Sequence, residues 1–170
     1  MDGVAFRTAV PEDAGEIAQT VDLAFQGYRE LAPPDWSPPP VEPEAIRVRL
    51  RNPDVWCQVA EVHGRMVGHV ALIPAALHAS YPLDDPSLAH LWQLFVRPEH
   101  WGSGIATKLH DGVLAEARAR GYSAFRLYTP AAQLRARGFY EREGWRVRGG
   151  AFVEPAFGGM ELIEYRRPLA

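Results

Sequence analysis

The chain has 170 residues, 47% apolar and 23% charged, with 18 Lys+Arg against 21 Asp+Glu and a formal net charge of −3. This describes one ordinary globular domain over residues 1–170 and excludes wholesale disorder. A pI near 6.1 lacks the basic footprint of a nucleic-acid binder.

The single cysteine, Cys57, excludes an internal disulfide framework and a cysteine zinc cluster. It sits in the apolar run Val55–Val59 and is expected in the core. Met1-Asp2-Gly3-Val4 has neither a basic n-region nor an apolar h-region, so no signal peptide is expected. No window approaches the ~20 apolar residues of a membrane span. The expectation is a soluble cytoplasmic protein with no membrane or nucleic-acid partner.

In chain order, Val4–Arg7 reads as a strand, and Pro11, Glu12 and Asp13 suit a helix start. Ala14, Ile17, Ala18, Val21, Ala24, Phe25 and Tyr28 share one helical face. Six of the 15 prolines fall between Pro33 and Pro43, a density only a loop accepts. A second helix is expected over Glu44–Arg51. Val55–Val62 and Met66–Ile73 form a hairpin about His63-Gly64-Arg65. Leu91–Val96 is a fourth strand, with Trp92, Leu94 and Val96 predicted on one face and Leu91, Gln93 and Phe95 on the other. Ile105, Leu109, Val113 and Ala117 mark a helix that Gly121 ends. Ala124–Tyr128 is a strand, Pro130 to Gly144 a helix, and Trp145–Phe152 and Met160–Arg166 the closing strands. The expected fold is α/β: a mixed, mostly antiparallel sheet of about seven strands flanked by about four helices, with one right-handed parallel crossover over residues 91–128.

The chemistry concentrates between Leu91 and Trp145. A strand ends at Val96-Arg97-Pro98-Glu99, and Gly102-Ser103-Gly104 leads directly into a helix. First-turn amides lack intrahelical acceptors and face the positive end of the dipole, so a phosphate or pyrophosphate can bind there. The glycines can equally serve only to turn the chain. Ile105-Ala106 after Gly104 excludes a Walker P-loop, and Thr107 breaks the dinucleotide fingerprint. The six histidines show no His-x-x-x-His spacing, so no metal is expected.

Trp101-Gly102-Ser103-Gly104-Ile105-Ala106 closely resembles the acyl-CoA signature of the GNAT family of N-acetyltransferases. Arg135-Ala136-Arg137-Gly138-Phe139-Tyr140-Glu141-Arg142-Glu143-Gly144-Trp145 is similar to its second signature. The element order matches the acyl-CoA N-acyltransferase fold over nearly the whole chain. Trp101 departs from the family's Arg or Gln and removes one charged contact to phosphate. Gln133 stands near the family's Asn.

The resemblance implies transfer from acetyl-CoA to a small-molecule or protein amine by direct attack in a ternary complex, in a possible homodimer. Leu94, Phe95 and Val96 would hold the pantetheine arm through their backbone. Trp101, Gly102, Ser103, Gly104, Ile105, Ala106 and Gln133 would complete the CoA site.

Tyr140 is the candidate general acid, since a phenol keeps its proton at pH 7. His90 is the candidate base; the arylalkylamine branch has His-x-His here, with Trp92 replacing the second histidine. His78 and Glu154 are weaker rivals, and His100 and His110 are expected to face solvent. Gly138 is explained by close approach of the CoA arm or by tight packing on the sheet. Loops 25–36, 78–85 and 152–157 bring aromatic residues, foremost Phe25, Tyr28, Trp36 and Tyr81, with Asp35, Asp84, Asp85 and Glu154. Such a pocket suits a hydrophobic or aromatic amine. The alternative is an acyl-CoA-binding module of the same fold that senses without catalysing. A toxin acting on aminoacyl-tRNA is disfavoured by the acidic charge.

Overall fold

The computed structural model describes residues 3–169; Met1, Asp2 and Ala170, including the start of the leaderless N-terminus expected above, lie outside them. Seven strands and four α-helices follow one another: β1 (Val4–Thr8), α1 (Ala14–Gln26), α2 (Pro43–Leu50), β2 (Trp56–Val62), β3 (Arg65–Pro74), β4 (Leu88–Val96), α3 (Ile105–Ala119), β5 (Ala124–Pro130), α4 (Leu134–Arg142), β6 (Arg146–Glu154) and β7 (Met160–Pro168). They form one sheet in the order β1-β2-β3-β4-β5-β7-β6. Among the described residues only β4 and β5 run parallel. This is the mixed, mostly antiparallel sheet predicted.

Each face of the sheet has its own core. Ile105, Leu109, Val113 and Ala117 of α3 and Tyr140 of α4 pack with Val70, Leu72, Leu91, Phe125 and Leu127 on one side. Ile17, Ala18 and Val21 of α1 and Ile46 of α2 pack with Cys57, Val59 and Ala71 on the other. The proline-dense stretch is an irregular loop anchored by one residue. Trp36 is 6% exposed, and its Nε1–H donates to the Phe157 carbonyl at 2.8 Å. Gly158 stands so close that a Cβ there would meet the Trp36 ring at 2.8 Å.

Three expectations change. First, β4 begins at Leu88, which puts His90 inside the strand instead of at its opening. Second, β4 carries a bulge: Ala71 pairs Gln93 and Leu72 pairs Leu91, leaving Trp92 as the extra residue. The alternation therefore resets. Leu91, Leu94 and Val96 join the α3 side, while Trp92 and Phe95 join the α1 side. Third, Pro130 ends β5 opposite Leu162 instead of starting a helix. Its neighbour β4 has already diverged, so the missing N–H breaks no ladder bond.

His110 also departs from expectation. It is fully buried, because the apolar stripe of α3 is wide enough to take in positions 110 and 114 beside Leu109 and Val113.

Candidate active site

The parallel pairing of β4 with β5 lasts three residues, Leu88↔Ala124 to His90↔Arg126. Beyond it β4 follows β3 to Val96, β5 follows β7 to Pro130, and the sheet opens. The β4 backbone from Leu91 to Val96 then has no strand on its β5 side. A cleft of about 540 Å³ fills the gap, lined by Leu91 to Val96, by Gly102 and Gly104 to Thr107, and by α4 residues. From the α1 side, Thr20, Leu23, Ala24, Gly27 and Tyr28 close it.

At one end lies the glycine turn. Gly102 and Gly104 have φ of +79° and +85°, a region other residues avoid. Gly104 is the N-cap of α3, and no acidic side chain lies in that helix's first turn. The amides of residues 105–107 precede the first intrahelical bond, Lys108 N–H to Gly104 O at 3.1 Å. Nearby, the Arg97 Nε is buried without a partner, and Arg97 also lines the cleft. The Ile105 amide reaches only Ser103 Oγ, at 3.5 Å, and such weakly engaged donors beside two glycines fit an oxygen-rich anion such as a pyrophosphate.

Leu94, Phe95, Val96, Trp101, Gly102, Gly104, Ile105, Ala106 and Gln133 all reach this cleft. Ser103 does not; its hydroxyl donates to the His100 carbonyl at 2.6 Å. His100 is half-buried and lines the cleft. Charge-pattern reading missed Arg97, Arg135 and Arg142, which look like a solvated face yet line the cleft. Gly138 is not explained by tight packing, since a Cβ there would meet only Arg142 Nη1, at 3.5 Å.

Tyr140 lines the cleft and is 7% exposed. Its ring packs edge-on against Phe139 and Trp145. Burial first, and nearby Tyr28 second, push its hydroxyl above the ordinary phenol range. Tyr28 is likewise raised by burial. Both hydroxyls stay protonated at any physiological pH.

His90 is placed differently. It is 2% exposed and is not among the cleft-lining residues. Its Nδ1 accepts from Arg126 Nε at 3.1 Å. Burial, then His78 and Arg126, hold its pKa far below the usual imidazole value. A lone pair already engaged by a guanidinium is a poor proton acceptor. Arg126 is itself buried, and its Nη2 donates to Tyr81 O at 2.9 Å, tying the 75–81 segment to the sheet. His78, Tyr81 and Phe152 cluster on this framework around Tyr128.

Of the four aromatics predicted for the acceptor pocket, only Tyr28 reaches the cleft. Phe25 and Trp36 pack around Phe157. Tyr81 faces Phe152. His78, Asp35, Asp84, Asp85 and Glu154 are also absent from its lining, where no carboxylate appears among the described residues.

Among the described residues one metal-like cluster occurs elsewhere. His110, Asp111 and Glu143 bring possible ligand atoms within 4.8 Å of one another. Trp145 Nε1–H, however, donates to His110 Nε2 at 2.9 Å. With Nε2 accepting, a neutral ring carries its proton on Nδ1, which lies 3.7 Å from Glu143 and makes no hydrogen bond among the described residues, so in this tautomer neither nitrogen is free to ligate.

Residues 21–145 match the model of the acetyltransferase (GNAT) family. Human N-acetyltransferase 8B is 39% identical over 98 residues, covering 55% of this chain and 40% of that protein. Mouse N-acetyltransferase 8 is 36% identical over 109 residues, covering 62% and 44%. The chain thus spans about two fifths of the length of these relatives. Among solved structures, Ard1 from Thermoplasma volcanium superposes with a TM-score of 0.77 at 14% identity over 99% of both chains. The protein yncA of Salmonella typhimurium, solved with acetyl-CoA, gives 0.75 at 15% over 98% of this chain and 94% of its own. The family match, the splayed sheet and the glycine turn agree, and the chain belongs to the GNAT family of acetyltransferases.

Proposed function

We propose that the chain transfers an acetyl group from acetyl-CoA to an amine by direct attack within a ternary complex. The observation that carries this is one cleft holding three things: the phosphate-suited turn, the unpaired β4 backbone and a protonated tyrosine. The turn amides of residues 105–107 would hold the pyrophosphate. The free β4 backbone would pair with the pantetheine arm and donate to the thioester oxygen as negative charge develops. The amine nitrogen bonds to the carbonyl carbon, the C–S bond breaks, and Tyr140 gives its proton to the departing sulfur. The proton left on the amine goes to water, and water returns one to Tyr140, so the cycle closes; among the described residues the cleft lining offers no carboxylate, and His90 stands outside it. The acceptor would approach along the α1 side of the cleft, where Leu23, Ala24, Tyr28 and Trp92 belong to the lining, and these apolar and aromatic side chains suit a hydrophobic or aromatic amine over a polycation.

A non-catalytic acyl-CoA sensor remains the second reading, and a cleft lining without a carboxylate among the described residues favours it. Thiol release from acetyl-CoA across a broad amine panel separates the two. Turnover with an aromatic amine supports transfer. No release with any amine, while CoA still raises the melting temperature, supports the sensor. Gly104→Asp should abolish that thermal shift, because it puts a carboxylate and a Cβ at φ +85° where phosphate sits.

A further inference from the structure

The residue ahead of the phosphate turn, Trp101, has no charge to offer an anion. The structure lays a guanidinium on it instead. Trp101 is pinned by its Nε1–H, which donates to Val96 O at 2.8 Å, and its ring stays 52% exposed. Arg135, from the first turn of α4, places its Cζ 3.8 Å from that ring's centroid. No ion pair among the described residues engages Arg135, and both side chains line the cleft. A guanidinium lying on an aromatic face keeps its edge donors available while its rotamers are restricted. Arg97 and Arg142 line the same cleft and, among the described residues, no carboxylate does, although the whole chain carries −3. Positive charge gathered in a cleft of an acidic protein favours an anionic ligand.

We propose that Arg135, seated on Trp101, is the cation of the pyrophosphate site. The indole positions the guanidinium, and the guanidinium supplies the charge-assisted hydrogen bonds that position 101 does not. This rests on the acetyl-CoA reading above and commits further, to the diphosphate and to a side chain outside the glycine turn.

Calorimetric titration with CoA, dephospho-CoA and pantetheine tests it. A wild-type protein that binds none of them overturns the acetyl-CoA reading and this inference with it. Given wild-type binding, Arg135→Ala should weaken CoA and dephospho-CoA alike by about tenfold and leave pantetheine unchanged. Unaltered CoA affinity overturns the assignment. So does a loss confined to CoA, which would move the contact to the 3′-phosphate, or an equal loss with pantetheine, which would mark a general structural effect. Trp101 enters as a positioning residue. Trp101→Ala should weaken both phosphate-bearing ligands several-fold, and adding Arg135→Ala should then weaken them little further. Trp101→Phe, which keeps an aromatic platform, should restore most of the affinity. Fully additive losses would show that the indole does not act through Arg135.

Discussion

Acidification should unfold this protein through its buried imidazoles. His69 and His110 are fully buried. Burial lowers each from 6.5 to about 4, with a Gln93 hydrogen bond partly opposing it at His69 and Arg167 and Arg118 adding to it at His110. A depressed folded pKa means that the unfolded chain takes up protons first. The stability is therefore intact above pH 6.5 and is lost as pH falls toward 4. With about 1.4 kcal/mol for each tenfold change in proton affinity, the loss by pH 5 is about 2 kcal/mol per histidine. The pair removes about 4 kcal/mol from a total of about 5–15 kcal/mol for a domain. His90, also lowered, acts in the same direction. The ion pair of Arg7 with Asp13 at 2.7 Å does not interfere, because Asp13 lies below 3.8 and its contribution fades only in stronger acid. Urea unfolding at pH 7.5 and pH 5.0 reads the difference directly, and His69→Gln with His110→Gln should flatten it relative to its own value at pH 7.5. Equal stability of the wild type at both pH values would refute the reasoning, as would an undiminished loss in the double variant.

Tyr140→Phe should lower kcat by roughly 10- to 1000-fold, the range of general-acid loss, with CoA affinity unchanged by titration, because the ring contacts to Phe139 and Trp145 survive. Gly138→Ala should melt no lower than wild type, since alanine favours the helix by about 1 kcal/mol and the added Cβ would meet only the end of the Arg142 side chain, at an ordinary contact distance of 3.5 Å. The same variant should bind CoA more weakly if the arm passes there, and unaltered affinity would leave the glycine unexplained. The rate should rise with pH as the acceptor amine loses its proton, and His90→Gln should keep the shape of that profile even if it lowers stability, since Arg126 already engages the ring. Loss of the alkaline rise in His90→Gln would return His90 to the mechanism.

Local rules carried most of the fold. Ile105, Leu109, Val113 and Ala117 repeat every four residues and are fully or nearly fully buried. Gly121 adopts φ +83° just beyond α3. The glycine turn was legible because its two glycines have a conformational job that few other residues can do. What was not legible depends on partners. Period-two alternation assumes an unbroken register, and Trp92 breaks it by one residue only because of how β4 meets β3. Pro130 is a helix start by local preference and a strand end by topology. His110 looks polar until Trp145 supplies its donor from another element. The arginines of α4 look solvated until the sheet opens beside them. Aromatic composition pointed to four acceptor residues without saying which face each would take.

The bulge and the proline have a common consequence for function. A continuous ladder between β4 and β5 would satisfy every backbone group of Leu91–Val96 and leave nothing for a ligand to bind. Pairing stops at His90 instead, the extra residue at Trp92 turns Leu94 and Val96 toward the α3 side, and Pro130 ends β5 without a donor facing the gap. A buried backbone amide left unpaired costs about 1–3 kcal/mol, so an opening of this length persists only where solvent or a ligand completes the bonds. A chain of alternating amides and carbonyls, as in a pantetheine arm, can complete them as a surrogate strand. The same opening exposes the N-terminal turn of α3 and the tyrosine of α4 to one ligand. Closing the sheet by restoring the Trp92 register should therefore stabilise the free protein while abolishing the CoA binding proposed above, and melting curves with and without CoA would read both effects.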